Sequence, residues 1–299
     1  MTTPELFDVA IVGAGPAGLS AALVLGRCRR LVVVVDGGRP RNYAATAVNG
    51  YLGVEAASPG EFREIGRQQV CRYGVQFVDA EVAAVRRASG PSGSFELSIQ
   101  GRPPILARKL LLATGVRDVL PDIENIEAFY GKSVHHCPYC DGWEHRDQRL
   151  VALGDGDAAV SLALSLRTWS AHVTACSTGR PPCTDDRRRL AQANVSYRPE
   201  RPVRFEGSEG VLREIVFAEG PPLECDALFF SNDQSQRSLL PRMLGCESDS
   251  EGLVRTGKKQ GTGVEGLYLA GDADGDVQFA IVAAAEGAIA ATAINGALQ

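Results

Sequence analysis

Apolar residues gather in short blocks that alternate with glycine-rich turns and longer helical stretches. A block at residues 9–12 leads into Gly13-Ala14-Gly15-Pro16-Ala17-Gly18 and then an alanine- and leucine-rich helix, after which a second block at 31–35 ends in Asp36. The same succession returns later in the chain. A strand at 150–153 precedes Gly154-Asp155-Gly156-Asp157-Ala158-Ala159, a helix is predicted over 160–169, and a strand over 173–176. A β-meander at 203–216 echoes the stretch 75–99, and further strands run into Leu112-Ala113-Thr114-Gly115 and Leu267-Tyr268-Leu269-Ala270-Gly271-Asp272. The apolar stretch 279–294 is interrupted by Glu286 and Gly287, so it predicts no membrane span. Its helical spacing offers Ile281, Ala284, Ala285 and Ala288 as an apolar face, in a helix opening near Gln278. A unit built twice, with the C-terminal segment returning to the first, predicts an α/β fold of two Rossmann-like three-layer domains, the second inserted into the first. The expected division is 1–116 with 247–299 for the outer domain and 117–246 for the insert, with crossings near Arg117 and Cys246.

The glycines have separate tasks in such a turn. Gly13 permits the tight bend, Gly15 lets a pyrophosphate approach the backbone at the positive end of a helix, and Gly18 lets helix and strand pack closely, with Ala17 between them. Asp36, about twenty residues on, stands where a carboxylate accepts hydrogen bonds from an adenosine ribose diol. This first fingerprint therefore predicts a dinucleotide site.

Composition narrows the remaining possibilities. The chain has 299 residues, 44% of them hydrophobic, and can bury a substantial core. A net charge of -5, with basic runs no longer than Arg187-Arg188-Arg189, argues against a nucleic-acid partner. With no basic and apolar leader before the first strand, the expected location is the cytoplasm, with no membrane association. Eight cysteines in that setting suggest reduced thiols plus one special pair. Cys28, Cys71, Cys176, Cys183, Cys225 and Cys246 share no short spacing and read as structural. Cys137-Pro138-Tyr139-Cys140, followed by Asp141-Gly142, is the pair, and its place between two nucleotide-binding fingerprints points to redox chemistry on sulfur. A zinc site from His135 or His136, Cys137, Cys140 and His145 lacks a second CxxC, so no metal is predicted, and the histidines are given no role.

In this order and at this spacing, the five motifs resemble those of low-molecular-weight thioredoxin reductases over nearly the whole chain. The resemblance implies FAD as cofactor. Thr114, Gly115, Gly271 and Asp272 would line its site, with Asp272 at the ribitol and the helix near Gln278 facing the flavin pyrimidine ring. It implies that Cys140 approaches the flavin while Cys137 meets the partner, and that Asp141 shuttles the thiol proton. It also implies a hinge at the two crossings, a homodimer, and a partner that is a thioredoxin-like protein or a small-molecule disulfide or dithiol.

The second fingerprint departs from that family. Where the first repeat has Asp36, this one has Ser177, then Thr178, Gly179 and Arg180, in place of the usual His-Arg-Arg cluster. Neither a carboxylate for an unphosphorylated ribose nor a set of arginines for a 2′-phosphate is in register, although Arg180 is close by. The strand end matching Gly115 reads Phe230-Ser231-Asn232-Asp233, and Asp155 and Asp157 add charge to the loop. These features argue against ordinary NADPH. Gly154, Gly156 and Ala159 still suit a turn, so the crevice is either a scaffold or a site for another adenine nucleotide, even a second FAD. Three readings follow: a thioredoxin reductase-like enzyme with another donor, such as ferredoxin or a second flavin; an FAD-dependent dithiol oxidase passing electrons to oxygen; and a flavin-bearing redox sensor without turnover.

Overall fold

The computed structural model describes residues 5–299 except 55, 89–92, 232 and 276. Asn232, one of the residues at the strand end compared with Gly115, lies outside the described residues. The chain divides into two compact units, one comprising Met1–Tyr43, Gly50–Arg117 and Gln234–Gln299, the other Ala44–Asn49 and Asp118–Asp233. Leu240 and Cys246, near which the sequence places the second crossing, pack into the core of the first unit.

In the first unit the chain runs β1 (Leu6–Val12), α1 (Pro16–Arg27), β2 (Val32–Asp36), α2 (Pro59–Cys71), β3 (Gln76–Asp79), β4 (Val82–Arg87), β5 (Phe95–Ile99), β6 (Ile105–Leu112) and β7 (Val116–Asp118). β3, β2, β1 and β6 are parallel neighbours, while β5 and β4 continue from β6 as an antiparallel meander. Side chains alternate across the sheet. Val9, Ile11, Val32 and Val34 face α1 on one side, and Ala10, Val12, Val33 and Val35 join Phe95, Leu97 and Val85 on the other. Burial of both faces explains why these strands read as unbroken apolar blocks.

The second unit contains α3 (Ile126–Phe129), β8 (Val134–His135), α4 (Pro138–Asp141), β9 (Arg149–Gly154), α5 (Asp157–Leu166), β10 (His172–Ser177), α6 (Thr184–Gln192), β11 (Ser196–Arg198), β12 (Pro202–Ser208), β13 (Val211–Phe217), β14 (Leu223–Glu224) and β15 (Ala227–Phe230). Its parallel sheet has the order β11-β10-β9-β15-β8, and β12, β13 and β14 form the antiparallel meander. Again the faces divide: Leu150 and Ala152 pack with Val160 and Ala163 of α5, whereas Val151 and Leu153 pack with Phe205 and Ile215 of the meander. The helix predicted over 160–169 starts earlier, at Asp157, and ends at Leu166.

The first unit resumes with β16 (Gln234–Gln236), α7 (Leu240–Met243), β17 (Leu267–Leu269) and α8 (Ala280–Gly296). Within α8 the buried face is Ala283, Ala284, Gly287, Ala290, Ala291 and Ile294, together with Glu286. Of the predicted face only Ala284 is buried, and Ile281 and Ala285 are exposed. The helix is apolar nearly all round, so its pattern carries too little contrast to fix the buried side. Its orientation follows instead from size, because a Cβ on Gly287 would run into the Ala17 carbonyl of α1.

Candidate functional site

Parallel registry gathers the motifs of the first unit at one end of its sheet. Val12 is paired with both Val35 and Leu112, and Leu112 with Leu269, so Gly13, Asp36, Ala113 and Ala270 all emerge at the carboxyl ends of neighbouring strands. A Cβ on Gly13, whose φ is 106°, would strike the Ala113 carbonyl, and one on Gly18 would strike the Gly13 carbonyl. Those two glycines are required by close backbone approach. Gly15 caps α1 with no side-chain hydrogen bond, and a Cβ there would meet nothing within 4 Å. The amino end of α1 therefore faces open space with its positive dipole end available to an anion.

The side chains around this space fit a bound dinucleotide. Asp36 Oδ1 accepts from Ala14 N at 3.1 Å, which fixes the carboxylate beside the loop. Thr114 Oγ1 is buried without a hydrogen-bond partner, an expense that a ligand group would relieve. Gly115 has φ 64° and open space where a Cβ would point. Gly271 N donates to the buried Glu286 Oε2 at 2.6 Å, and a Cβ on Gly271 would press on Ala17 at 3.1 Å. Asp272 Oδ2 and Gln278 Oε1 both accept from Arg41 Nη1, at 2.8 and 2.7 Å, and Gln278 exchanges amide hydrogen bonds with Gln234 at 2.6 and 2.7 Å. Gln278 thus lies just ahead of α8, held by side chains rather than by the helix.

In the second unit, β8 pairs with β15 at the edge of the sheet and the chain turns directly into the redox motif. Cys137 and Cys140 are joined as a disulfide, with Cα atoms 5.3 Å apart. Cys137 caps the short α4, its Sγ accepting from Cys140 N at 3.2 Å, and Pro138 occupies the first helical position, where no N–H donor is needed. Gly142 follows because Trp169 packs on the turn: a Cβ would come within 2.8 Å of the indole ring. Trp169 also makes an edge contact with Tyr139, ring centroids 5.5 Å apart. Tyr139 is 71% exposed and Trp143 65%, so two aromatic rings stand in solvent beside the disulfide.

A family model described as pyridine nucleotide-disulphide oxidoreductase matches residues 7–287. The chain belongs to that family. It is 32% identical over 282 residues to the thioredoxin reductase tcpT of Claviceps purpurea, covering 91% of this chain and 88% of the relative. Among solved structures, the putative thioredoxin reductase TrxB of Bacillus anthracis superposes with a TM-score of 0.92 at 32% identity, covering 98% of each chain. HlmI superposes with a TM-score of 0.94 at 35% identity, covering 100% of this chain and 94% of the other. The protein is accordingly a thioredoxin reductase-like flavin disulfide oxidoreductase with a redox disulfide at Cys137 and Cys140, and FAD is the cofactor that the family and the geometry of the first unit support.

The oxidoreductase's second fingerprint has the same order of strand, turn and helix, a different turn, with φ 55° at Gly156 against -76° at Gly15, and different surroundings. Leu153 is paired with Cys176 and Phe230, so Gly154, Ser177 and Ser231 share one sheet end. Gly154 packs against Ala159, where a Cβ would lie 2.8 Å from the amide nitrogen. Ser177 is buried and its hydroxyl meets Tyr197 Oη at 3.3 Å, so it faces a protein partner. Gly156 N donates to the Arg180 carbonyl at 2.9 Å, and Arg180 N donates in turn to Asp155 Oδ1. The Arg180 guanidinium lies over Gly156, 2.8 to 2.9 Å from where a Cβ would be, and 3.8 Å from Asp157. Asp233 contributes its carbonyl to Val119 N at 2.9 Å.

Several residues of the site escape a linear reading. Arg63 of α2 contacts Asp36 Oδ2, the Ala14 carbonyl at 3.3 Å and the Gly38 carbonyl at 2.9 Å. The one signal for α2 is the capping box of Ser58 and Glu61, which the structure forms in full. Nothing local marks Arg41. His135 and His145, without an assigned role in the sequence, face one another at 3.0 Å beside Asp141. Among the described residues no group of three or more His, Cys, Asp or Glu could hold a metal ion, and no helix is long and apolar enough to cross a membrane. Cys176 and Cys225 are buried, and burial pushes the Cys176 thiol up to about 12 and the Cys225 thiol higher still. Cys28, Cys71 and Cys183 are exposed at helix ends, so the structural reading of all six remaining cysteines does not extend to them.

Proposed function

We propose that the protein is an FAD-dependent thiol-disulfide oxidoreductase that passes electrons between flavin, the Cys137–Cys140 disulfide and an external disulfide or dithiol, and that its electron donor is not ordinary NADPH. The carrying observation is the difference between the two fingerprint loops. Gly15 opens onto free space, whereas the Gly156 amide is taken by the Arg180 carbonyl and its outer face is covered by the Arg180 side chain. A pyrophosphate needs such amides as donors. Asp155 and Asp157 add like charge to any anion approaching that loop. An insertion of the second domain into the first, a homodimeric state and a cytoplasmic location belong to this reading, as does a ferredoxin or a second flavin as donor.

FAD supplies the two-electron chemistry when bound. Gly15 would take its pyrophosphate at the amino end of α1, in a turn that Gly13, Ala17 and Gly18 keep closely packed, Asp36 would take the adenosine ribose, and Thr114, Gly115, Gly271, Asp272 and Gln278 would line the remainder. Arg41 holds Asp272 and Gln278 in place. Cys140 is the flavin-facing sulfur, Cys137 meets the partner, and Asp141 carries the proton that a nascent thiolate takes up. The exposed rings of Tyr139 and Trp143 offer an apolar landing area for that partner, whether a thioredoxin-like protein or a small dithiol.

The test is anaerobic reduction of the holoenzyme with NADPH, NADH or reduced ferredoxin, followed by thioredoxin or a small disulfide. We expect the nicotinamides to leave the flavin oxidised on the turnover timescale, and Cys140→Ser to stop transfer to the disulfide while FAD stays bound. Rapid bleaching by NADPH would refute the donor assignment. Conversion of a small dithiol that requires oxygen, with no reductase activity, would favour the dithiol oxidase.

A further inference from the structure

Behind the disulfide the second unit holds a chain of polar groups that the reaction as described does not use. His135, the last residue of β8, is 5% exposed and stacks on Phe229 of β15, with ring centroids 5.3 Å apart. Its Nδ1 lies 3.4 Å from Asp141 Oδ2. Its Nε2 lies 3.2 Å from the Lys132 carbonyl and 3.0 Å from His145 Nε2. His145 Nδ1 in turn meets Gln148 Oε1 at 2.9 Å. The charged and titratable groups acting on this chain are Asp141 from α4 and Glu144 from the turn after it, both of which favour a proton on His145, while His135 and His145 oppose one another's charge. The next residue, His136, is engaged separately, 3.3 Å from the Tyr130 hydroxyl, which donates to Asp118 at 3.2 Å.

These distances settle where hydrogens belong. A backbone carbonyl only accepts, so His135 Nε2 keeps its hydrogen and directs it to the Lys132 carbonyl and His145 Nε2. For His145 to accept it must be neutral, and burial, the largest influence on it, lowers its affinity for a second proton. The nitrogen of His135 left to give or take a proton is Nδ1, and the group facing it is the carboxylate of Asp141.

The geometry points to His135 as a positioning residue for the redox reaction, a proton store that loads and unloads Asp141 through the contact between Nδ1 and Oδ2. This rests on the role of Asp141 proposed above. When the disulfide is reduced, the S–S bond breaks, the two sulfurs take the two electrons delivered by the flavin, and one sulfur takes a proton from Asp141. His135 Nδ1 then passes its proton to Asp141 Oδ2. Oxidation of the dithiol runs the same transfers in reverse. Nδ1 thus holds a second exchangeable proton directly against the carboxylate that serves the sulfur.

The test compares pH profiles of the rate at which photoreduced, anaerobic holoenzyme reduces its own disulfide, in the wild type, His135→Gln, Asp141→Asn and the double variant. Glutamine retains a donor for the Lys132 carbonyl and cannot store a proton. Asp141→Asn should lose about a hundredfold or more at all pH values, as expected on removing a general acid. His135→Gln, which leaves Asp141 without the store, should move the descending limb of the profile acidward. The double variant should match Asp141→Asn. An unshifted limb in His135→Gln, or a loss independent of pH, overturns the store and leaves the role of Asp141 standing. Full activity in Asp141→Asn overturns both. If His135→Gln does not fold, 15N spectra of histidine-labelled wild type serve instead: across the descending limb of the wild-type profile the Nδ1 signal of His135 should differ between disulfide and dithiol forms, and identical signals throughout overturn the proposal.

Discussion

The two glycine-rich loops follow the same strand, turn and helix, yet one opens onto free space at Gly15 and the other has its Gly156 amide taken by the chain itself. Around Gly15 the neighbouring polar groups are held back: Asp36 is tied to Ala14 and Arg63, and nothing lies where a Cβ would point. Around Gly156 the segment that follows β10 folds back, with the Arg180 carbonyl on the glycine amide and Asp155 fastening the Arg180 amide. A shared succession of strand, glycine turn and helix therefore does not by itself make a nucleotide site, and the turns themselves differ, with φ -76° at Gly15 and 55° at Gly156. What decides is whether the peptide groups are left for a ligand or satisfied within the chain.

The largest expected effect comes from matched substitutions in the two loops. Gly18→Val places branched carbon on the Gly13 carbonyl and should cost about 3 kcal/mol or more, with the flavin absorbance of the purified protein lost. Gly156→Ala meets only the mobile end of Arg180 but must adopt φ 55° and ψ -122°, so it should cost about 1 to 3 kcal/mol and leave the flavin spectrum intact. Equal flavin loss in both variants would erase the distinction.

A smaller effect should follow from Thr114→Val, which removes the unpaired buried hydroxyl of the first unit without changing its shape. Melting of the flavin-free protein should rise by about 1 kcal/mol in stability, while FAD binding weakens. A stability loss in the flavin-free form would mean that the hydroxyl is not waiting for a ligand.

The sequence made much of this comparison legible, because strand ends, glycines and acids lie close together along the chain. Asp36 with Gly15, and Ser177 with Gly156, are each pairs set by a single βαβ repeat. Arg63, Arg41 and Gln234 were not legible, since they reach the site from α2, from the loop after β2 and from the first residue of β16, and only tertiary packing brings them there. The His135–His145 contact was hidden for the same reason. Its two residues flank the CxxC motif, but the stacking on Phe229 that aligns them comes from β15. The buried side of α8 was misread because size rather than polarity selects it.

The smallest effect concerns pH. Burial lowers the affinity of His145 for a proton, so below the ordinary imidazole range the unfolded chain binds more protons than the folded one. This contribution to stability is complete above that range and is lost as pH falls through it. His145→Gln should flatten the decline in melting temperature on acidification, and an unchanged slope would show that another group carries it.

The most direct test of the contrast between the loops is a count of dinucleotides, by extraction of bound flavin combined with calorimetric titration of the holoenzyme with NADPH. One FAD per chain is predicted, with no NADPH binding at concentrations up to about 1 mM, the upper end of the usual KM range. Saturable NADPH binding at about micromolar concentration, with one site per chain, would contradict it.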